Sequence, residues 1–491
     1  MRYKRFGIVM AVIMLAASVL CLPVESVEQR GRVHQHLTAR ADTGCDCDGT
    51  QLCSHLPLVL VDTRGQDIPG VPSGQFDRFG QATYTMAQDG ESVIRASVSV
   101  IDNGGSNNHP GDKPAFVTDC EFRIRGKSSR YFPKLSYAMK LVDEAGNGRK
   151  LPMMGMDAHH EWVLNGPILD KSLIRNYMWY NISGEVMEYA PNVRFCELML
   201  DGEYEGLYVM TESITDGEDC RLHLSLNVKN EKGTGYLLRL DRPEEAELSA
   251  ERNIQSYNER MLNFDSDVSI RYPGKRNLTP ELAKDIELDY SAFEKALFSY
   301  DYDTEDYGYQ NWIDVDNFVT YYIINEFTSN MDAGKYSTYI YKEVGEKYRL
   351  CVWDFNNSCD NYQEQAVDET GFQTRQQAWF FMLFKDEKFV QKVLDRYEQI
   401  RGSYLSDEYL MEYIDETLTF LGPAVERNNE RWAAEIDGWD ALLPAERGLH
   451  SHEEAVMQLK AWIKARGAWL DENIHVLTQY GHPSRTKLYN H

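Results

Sequence analysis

Apolar residues change their spacing part-way along the chain, and that change limits the folds open to it. Up to about residue 242 they alternate or form short runs: Leu56–Asp62, Ala82–Ala87, Val93–Ile101, Ala115–Ile124, Ser136–Leu141, Val193–Leu200 and Tyr204–Met210. Runs of this length, closed by Gly65, by Ile68-Pro69-Gly70 or by Asp201-Gly202, predict strands and hairpins. Residues 170–186 are the exception, with Asp170 as N-cap and apolar positions at 173, 174, 177, 178 and 182, a helical pattern. Past residue 280 helical spacing takes over, in 280–300, 314–329, 374–402, 406–420 and 452–477. No internal repeat is visible. The expectation is an α+β fold: a β-rich part over 56–242, a mainly helical part over 243–477 and a tail over 478–491.

The start has a different character. Met1-Arg2-Tyr3-Lys4-Arg5 precedes an uncharged apolar run from Phe6 to Val24, the pattern of a secretory leader over 1–26. The competing reading is an uncleaved anchor, since the run is near the lower limit for a membrane span. Cys21 follows the bulky Leu20 rather than a small residue, which speaks against a lipoprotein. Residues 27–55 are a polar spacer. Removing the leader leaves about 465 residues, enough for one large two-lobed unit or two to three domains. No later segment is long and apolar enough to span a bilayer, so the mature chain is expected to be exported and to lie outside the membrane.

The formal charge of −26 argues against nucleic acid and against docking on anionic lipid. Aromatic residues make up 12% of the chain, which supplies a sizeable core. Eight of the nine cysteines lie beyond the leader, an even number that permits disulfides in an exported chain. Cys45-Asp46-Cys47 with Cys53 fits no tetrahedral zinc spacing and has no accompanying His pair, so disulfide or free thiol is the preferred reading.

Two carboxylates stand out in the C-terminal half. Asp332 and Asp354 lie 22 positions apart. Between them are an aromatic run (Tyr336 to Lys342), a break at Gly345 and a second run (Tyr348 to Trp353). The text predicts a helix end, an acidic loop, two strands and a second acidic residue. Protein kinases place a proton-accepting Asp and a metal-binding Asp in this order. Five residues after Asp332 stands Ser337, where the usual kinase loop carries a metal-binding Asn. Earlier, Phe122-Arg-Ile-Arg125 and Ser136-Tyr-Ala-Met-Lys-Leu141 flank the turn Gly126-Lys127-Ser128-Ser129. That turn is not a P-loop, because the earlier glycine would fall at Glu121. It reads either as a backbone cradle for phosphates or as an ordinary hairpin turn. Lys140 is either a phosphate-side lysine or an outward-facing strand lysine. Arg175 has the same two readings. No Gly-x-Ser-x-Gly or His-Glu-x-x-His motif is present, and His159-His160-Glu161 precedes Trp162 in a loop-to-strand segment.

With these residues in view, the chain resembles the spore-coat-protein-H (CotH) kinase family from about residue 56 to 475. The matching text is Arg125-Gly-Lys-Ser-Ser-Arg-Tyr-Phe-Pro-Lys134, Gly166-Pro-Ile-Leu-Asp-Lys-Ser-Leu-Ile-Arg-Asn176 and Glu197-Leu-Met-Leu-Asp-Gly-Glu-Tyr-Glu-Gly-Leu-Tyr208 into Thr211-Glu212. Ile324-Asn-Glu326, Met331-Asp332, Ser337-Thr-Tyr339 and Val352-Trp-Asp-Phe-Asn356 come later. The resemblance implies an atypical kinase-like two-lobed fold that binds ATP with Mg²⁺ or Mn²⁺ and phosphorylates Ser or Thr of proteins. It implies Asp332 as catalytic, and Asp354 with Asn356 as metal-binding. Arg125, Lys127, Lys140 and Glu212 become nucleotide-side residues. Many relatives carry Asp where Asn356 stands, and an amide removes a charge from a hard-cation site.

These residues support two main expectations. The first is an exported protein Ser/Thr kinase acting on a coat or surface protein. The second is a surface or coat interaction protein that keeps the fold without transferring phosphate. A carbohydrate-acting enzyme using paired carboxylates is a third and weaker reading, since their separation is not visible in a sequence.

Overall fold

The computed structural model describes residues 44–483, apart from 78–81, 216–220, 228–232, 243–252, 255, 257–265 and 438–446. The expected leader, spacer residues 27–43 and tail residues 484–491 lie outside the described residues.

Among the described residues, sixteen strands form two larger sheets and two small hairpins. They are β1 (Leu58–Asp62), β2 (Pro72–Phe76), β3 (Ala82–Tyr84), β4 (Ile94–Ile101), β5 (Phe116–Arg125), β6 (Ser136–Val142), β7 (Leu151–Met153) and β8 (Met156–His159). Then come β9 (Glu161–Asn165), β10 (Val193–Leu200), β11 (Glu203–Glu212), β12 (Tyr236–Asp241), β13 (Asn253–Ile254), β14 (Asp267–Tyr272), β15 (Thr338–Lys342) and β16 (Arg349–Cys351). Seven close into a barrel in the order β1-β10-β11-β9-β6-β5-β4, in which β1 pairs β10 in parallel and β4 antiparallel. Closure leaves this sheet without an unpaired edge. The second sheet runs β13-β14-β12-β15-β16.

The alternation read from the sequence is the barrel's inside and outside. Ala96 and Val98 of β4, Cys120 and Phe122 of β5, and Met139 and Leu141 of β6 fill the interior, all nearly or fully excluded from solvent. Each large apolar side chain buried there contributes roughly 1.5–3 kcal/mol. Strands β10 and β11 are buried on both faces. Cys196, Leu198, Tyr208 and Met210 face the barrel interior, while Phe195, Leu207 and Val209 belong to the core shared with the helices.

The described α-helices are α1 (Arg175–Val186), α2 (Pro280–Leu297), α3 (Val315–Phe327), α4 (Phe380–Leu383), α5 (Glu387–Arg401), α6 (Asp407–Leu421), α7 (Pro423–Asp437) and α8 (His452–Asn473). Thr279, Asp314, Asp386, Ser406 and Ser451 cap α2, α3, α5, α6 and α8 through their side chains. Such a cap is worth about 1 kcal/mol. Helix α1 is buried on nearly all sides, and its Tyr177 ring stacks on Phe195 of β10 at 4.2 Å between centroids. It begins five residues later than expected. The Asp170 carboxylate accepts from the N–H groups of Ser172 and Arg175, and so caps the turn before the helix.

The structure revises one helical expectation and adds a helix. The segment 374–402 is not one helix: Ala378 has φ +42°, and Asp386 caps a fresh helix by accepting from the Lys388 N–H at 2.9 Å. Helix α7, which no expectation covered, clasps the barrel hairpin. Its Asn428 accepts from the Leu207 N–H at 3.1 Å and from Lys134 Nζ at 2.7 Å, and Arg427 pairs with Glu197 at 2.7 Å. A Cβ at Gly206, where φ is +97°, would lie 2.7 Å from Asn428 Oδ1, so only glycine permits this approach.

The described cysteines, Cys45, Cys47, Cys53, Cys120, Cys196, Cys351 and Cys359, are not joined to one another by disulfides. Among the described residues no helix is long and apolar enough to cross a membrane.

Candidate functional site

Asp332 sits in the loop after α3, Asp354 directly after β16, and both face a cleft of ≈ 350 Å³. The helix–loop–hairpin–acid order inferred from the 332–354 spacing brings the two carboxylates to one wall. A third joins them from Asp241 at the end of β12, since β12 pairs with β15 in the register Leu240↔Thr338. Arg123 and Arg125 of β5 and the β5–β6 connection line it too, as do Arg239, Arg242 and Arg271.

The electrostatics reflect burial and like charge. Burial, reinforced by the negative charge of Asp354, raises the Asp332 carboxyl from 3.8 to about 6. Burial also raises Asp354, against the downward pull of the Arg125 guanidinium. The charge of Asp241 raises both. Asn357 holds Asp332 in place, its Nδ2 donating to Oδ2 at 3.0 Å.

Buried amides fix the two acidic loops relative to each other. Asn330 Nδ2 donates to the Asp354 carbonyl at 3.2 Å, while its Oδ1 accepts from the Asp332 N–H at 3.4 Å. Asp354 itself has φ +60°, and its N–H donates to Tyr180 Oη at 2.9 Å. Asn176 on α1 accepts from the Phe355 N–H at 2.7 Å and donates to Asn356 Oδ1 at 2.9 Å. Asn356 lines the cleft, with its side-chain oxygen engaged by that amide. Ser337 also lines the cleft, at φ +48°. Arg175 is fully buried, pairing with Asp170 at 2.5 Å and donating to the Ser358 carbonyl at 3.1 Å. It braces the loop beyond Asp354 and does not line the cleft.

The structure separates the four expected nucleotide-side residues. Arg125 and Lys127 line the cleft. The Arg125 guanidinium lies 5.8 Å from the Trp353 ring centroid, and Lys127 Nζ donates to the Arg242 carbonyl at 2.8 Å. The segment Gly126–Ser129 is more than a tight hairpin turn, because β5 and β6 part at Arg125↔Ser136 and residues 126–135 form a loop over the cleft. A Cβ on Gly126 (φ +104°) would sit 1.8 Å from Ser129 Oγ.

Lys140 and Glu212 do not reach the cleft. Lys140 sits on the outer face of the barrel opposite Glu121, with Nζ 3.6 Å from that carboxylate. The pairing places it four residues from the Arg125 end of the sheet, about 13 Å at the usual strand rise. The outward-facing alternative describes its position. Glu212 is buried, accepting from Tyr189 Oη and Arg221 Nη1, each at 3.0 Å. Its carboxylate ties the end of β11 to both of those side chains. Glu326 is likewise buried, in an ion pair with Arg466 at 2.7 Å.

The CotH kinase protein family model matches residues 122–470. The chain belongs to that family. The match takes in Asp241, Asp332, Asp354 and the amides around them, together with the end of β5, the helices from α1 into α8 and the second sheet. No curated protein matches the chain.

Sequence motifs alone do not single out Asp241, Asn330 and Asn357. Asp241 ends a strand run, and nothing local marks it as the neighbour of residues some ninety positions later. Asn330 and Asn357 lie within or beside the family motifs, where side-chain amides next to acidic loop residues were the available signal.

Proposed function

We propose that this CotH-family chain is an exported, atypical protein Ser/Thr kinase with a kinase-like two-lobed plan. The barrel side would be the nucleotide-facing lobe and the helices with the second sheet the catalytic lobe. The reading rests on one observation above others: Asp332, Asp354 and Asp241 line one cleft with Arg123, Arg125, Lys127, Arg239, Arg242 and Arg271. On a chain of net charge −26, basic groups gathered in one cleft with carboxylates suit an anion bridged by a hard cation.

The donor set fits the implied Mg²⁺ or Mn²⁺, since carboxylate oxygens are the ligands such ions take. Asp354 and Asp241 would hold it, with Asn356 beside them. When bound, Mg·ATP supplies the transferable phosphoryl group and the positive charge that offsets the phosphates. The protein's own groups do the rest. Asp332, ionised above pH 6, accepts the proton of the acceptor Ser or Thr hydroxyl. Arg125 and Lys127 orient the anionic phosphates, and the amide lattice of Asn330, Asn176 and Asn357 keeps the acidic loops in register. Positioning and electrostatics of this kind account for most of the rate in phosphoryl transfer.

A second reading has its own observation. Asn356 Oδ1 already accepts from Asn176, and an amide carries no charge to a cation. This favours a coat or surface interaction protein that has lost transfer. The deciding experiment incubates purified chain with labelled ATP, Mg²⁺ or Mn²⁺ and a generic protein acceptor. Asp354→Ala is expected to lose both metal-dependent nucleotide binding and transfer. Asp332→Ala is expected to keep binding while transfer falls by about 10³-fold or more. Well-folded Asp354→Ala that still binds Mg·ATP normally, or a parent chain with no transfer, would reject the kinase reading. Transfer regained by Asn356→Asp in an inactive parent would identify the lost carboxylate as the cause.

A further inference from the structure

A second constellation lies outside both the cleft and the family match. Residues 44–51 are all exposed and contribute nothing to either hydrophobic core. Yet Cys45, Cys47 and Cys53 converge there with His109, their four donor atoms all within 4.8 Å of one another. Cys45 Sγ lies 3.5 Å from His109 Nε2. Bonds of about 2.3 Å to sulfur and 2.0 Å to nitrogen put the donors of a tetrahedral zinc site roughly 3.5–3.8 Å apart. The cluster needs to tighten by about 1 Å at most to reach that geometry.

The surroundings point the same way. His109 turns Nε2 to the thiols and Nδ1 to Asp112 Oδ2, 3.3 Å away, the carboxylate–histidine arrangement that fixes a metal-ligating ring. Asp112 is itself held by Asn103 Nδ2 at 2.7 Å and by the His109 N–H at 2.9 Å. Asn107 Nδ2 donates to Cys53 Sγ at 3.1 Å, and the Gly49 N–H is directed at Cys47, both suited to thiolate sulfur. The loop bearing His109 is docked on the cysteine segment through the bridge Ser54↔Asn108, with hydrogen bonds of 3.0 and 2.6 Å.

We propose that Cys45, Cys47, Cys53 and His109 form a structural Zn²⁺ site that pins the N-terminal segment to the 103–112 loop at the mouth of the barrel. Three thiolates and one imidazole fill all four positions, leaving none open for a substrate, so the role is to hold structure. Sequence spacing disfavours zinc because the fourth ligand comes from a separate loop, brought in by the β4–β5 connection. A disulfide between two of the cysteines, the competing chemistry, would strand the third thiol and leave the His109–Asp112 pair without a purpose.

The test uses the full chain, purified reduced and without chelator, with zinc quantified by elemental analysis and Co²⁺ substituted for spectroscopy. One zinc per chain and a cobalt spectrum with thiolate charge-transfer and tetrahedral d–d bands are expected. Cys53→Ser and His109→Ala should lose the metal, whereas His109→Cys, which restores a fourth soft ligand, should keep it. Asp112→Asn should weaken binding by about 10–100-fold. Reduced protein that takes up neither metal, a disulfide among the three cysteines in a parallel sample isolated without reductant, or His109→Ala with an unchanged cobalt spectrum would overturn the site. All of these readouts are independent of kinase activity.

Discussion

The barrel interior and the cleft wall are built by opposite rules. Inside the barrel, side chains alternate in register and the buried groups are apolar, as with Phe122 stacked on Tyr137 at 4.9 Å between centroids. The left-handed residues near it, Arg64, Met154 and Asp201, sit at strand ends or hairpin turns. The cleft instead buries carboxylates against one another and braces them with amides. Around it, Leu173, Ser329, Ser337, Asp354, Cys359 and Asp360 all have positive φ without being glycine. Each such residue costs of order 1 kcal/mol or more. The difference separates a region shaped for stability from one that spends stability on holding charge in place.

Mutations can break that contrast in decreasing order of effect. Phe122→Ala should cost about 3–5 kcal/mol of stability, read by denaturant unfolding, because the ring is fully buried and its cavity cannot collapse inside a closed sheet. A loss below about 1 kcal/mol would mean that the interior is not close-packed.

Asp332→Asn should act in the other direction. The folded carboxyl titrates near 6 and the unfolded one near 3.8, so the native state binds the proton more tightly. Stability is therefore lost as pH rises from about 4 to 6, and above 6 the charge is a liability. The amide should raise the metal-free protein's stability by about 1–3 kcal/mol at pH 7 and give no gain below about pH 4. Thermal melts across that pH range check the sign. A destabilised variant at pH 7 would show that Asp332 is held for packing.

Asn176→Ala removes the brace between α1 and the Phe355–Asn356 backbone. A loss of about 1–2 kcal/mol is expected, with divalent-cation affinity falling alongside it. Unchanged affinity, measured by calorimetry, would detach the brace from the site. Lys140→Ala should be nearly silent, within about 0.5 kcal/mol, because both groups are partly open to solvent and their ion pair is long. Loss of nucleotide binding in that variant would contradict its place on the outer face.

What could be read from the sequence divides along the same line. The strands of the barrel and the 332–354 unit were legible because alternation, turn residues and a helix–loop–hairpin order are local properties. Lys140 could not be placed, because strand polarity alone does not say which end of a barrel face meets the rest of the chain. Asp241 and His109 were invisible as partners, since each arrives by pairing between distant segments. The break at Ala378 was hidden by apolar spacing on both sides of it.

Strands β10 and β11 carry one more consequence. They are wall to the barrel and floor to the helical core at once, with α7 fastened across them, so the two cores share one pair of strands. The 126–135 connection that lines the cleft shares this anchorage, since the buried Lys134 Nζ donates to the Leu207 carbonyl at 2.6 Å and to Asn428 at 2.7 Å. A substitution that displaces either strand would therefore be felt in the barrel, in the helical core and at the rim of the cleft at once.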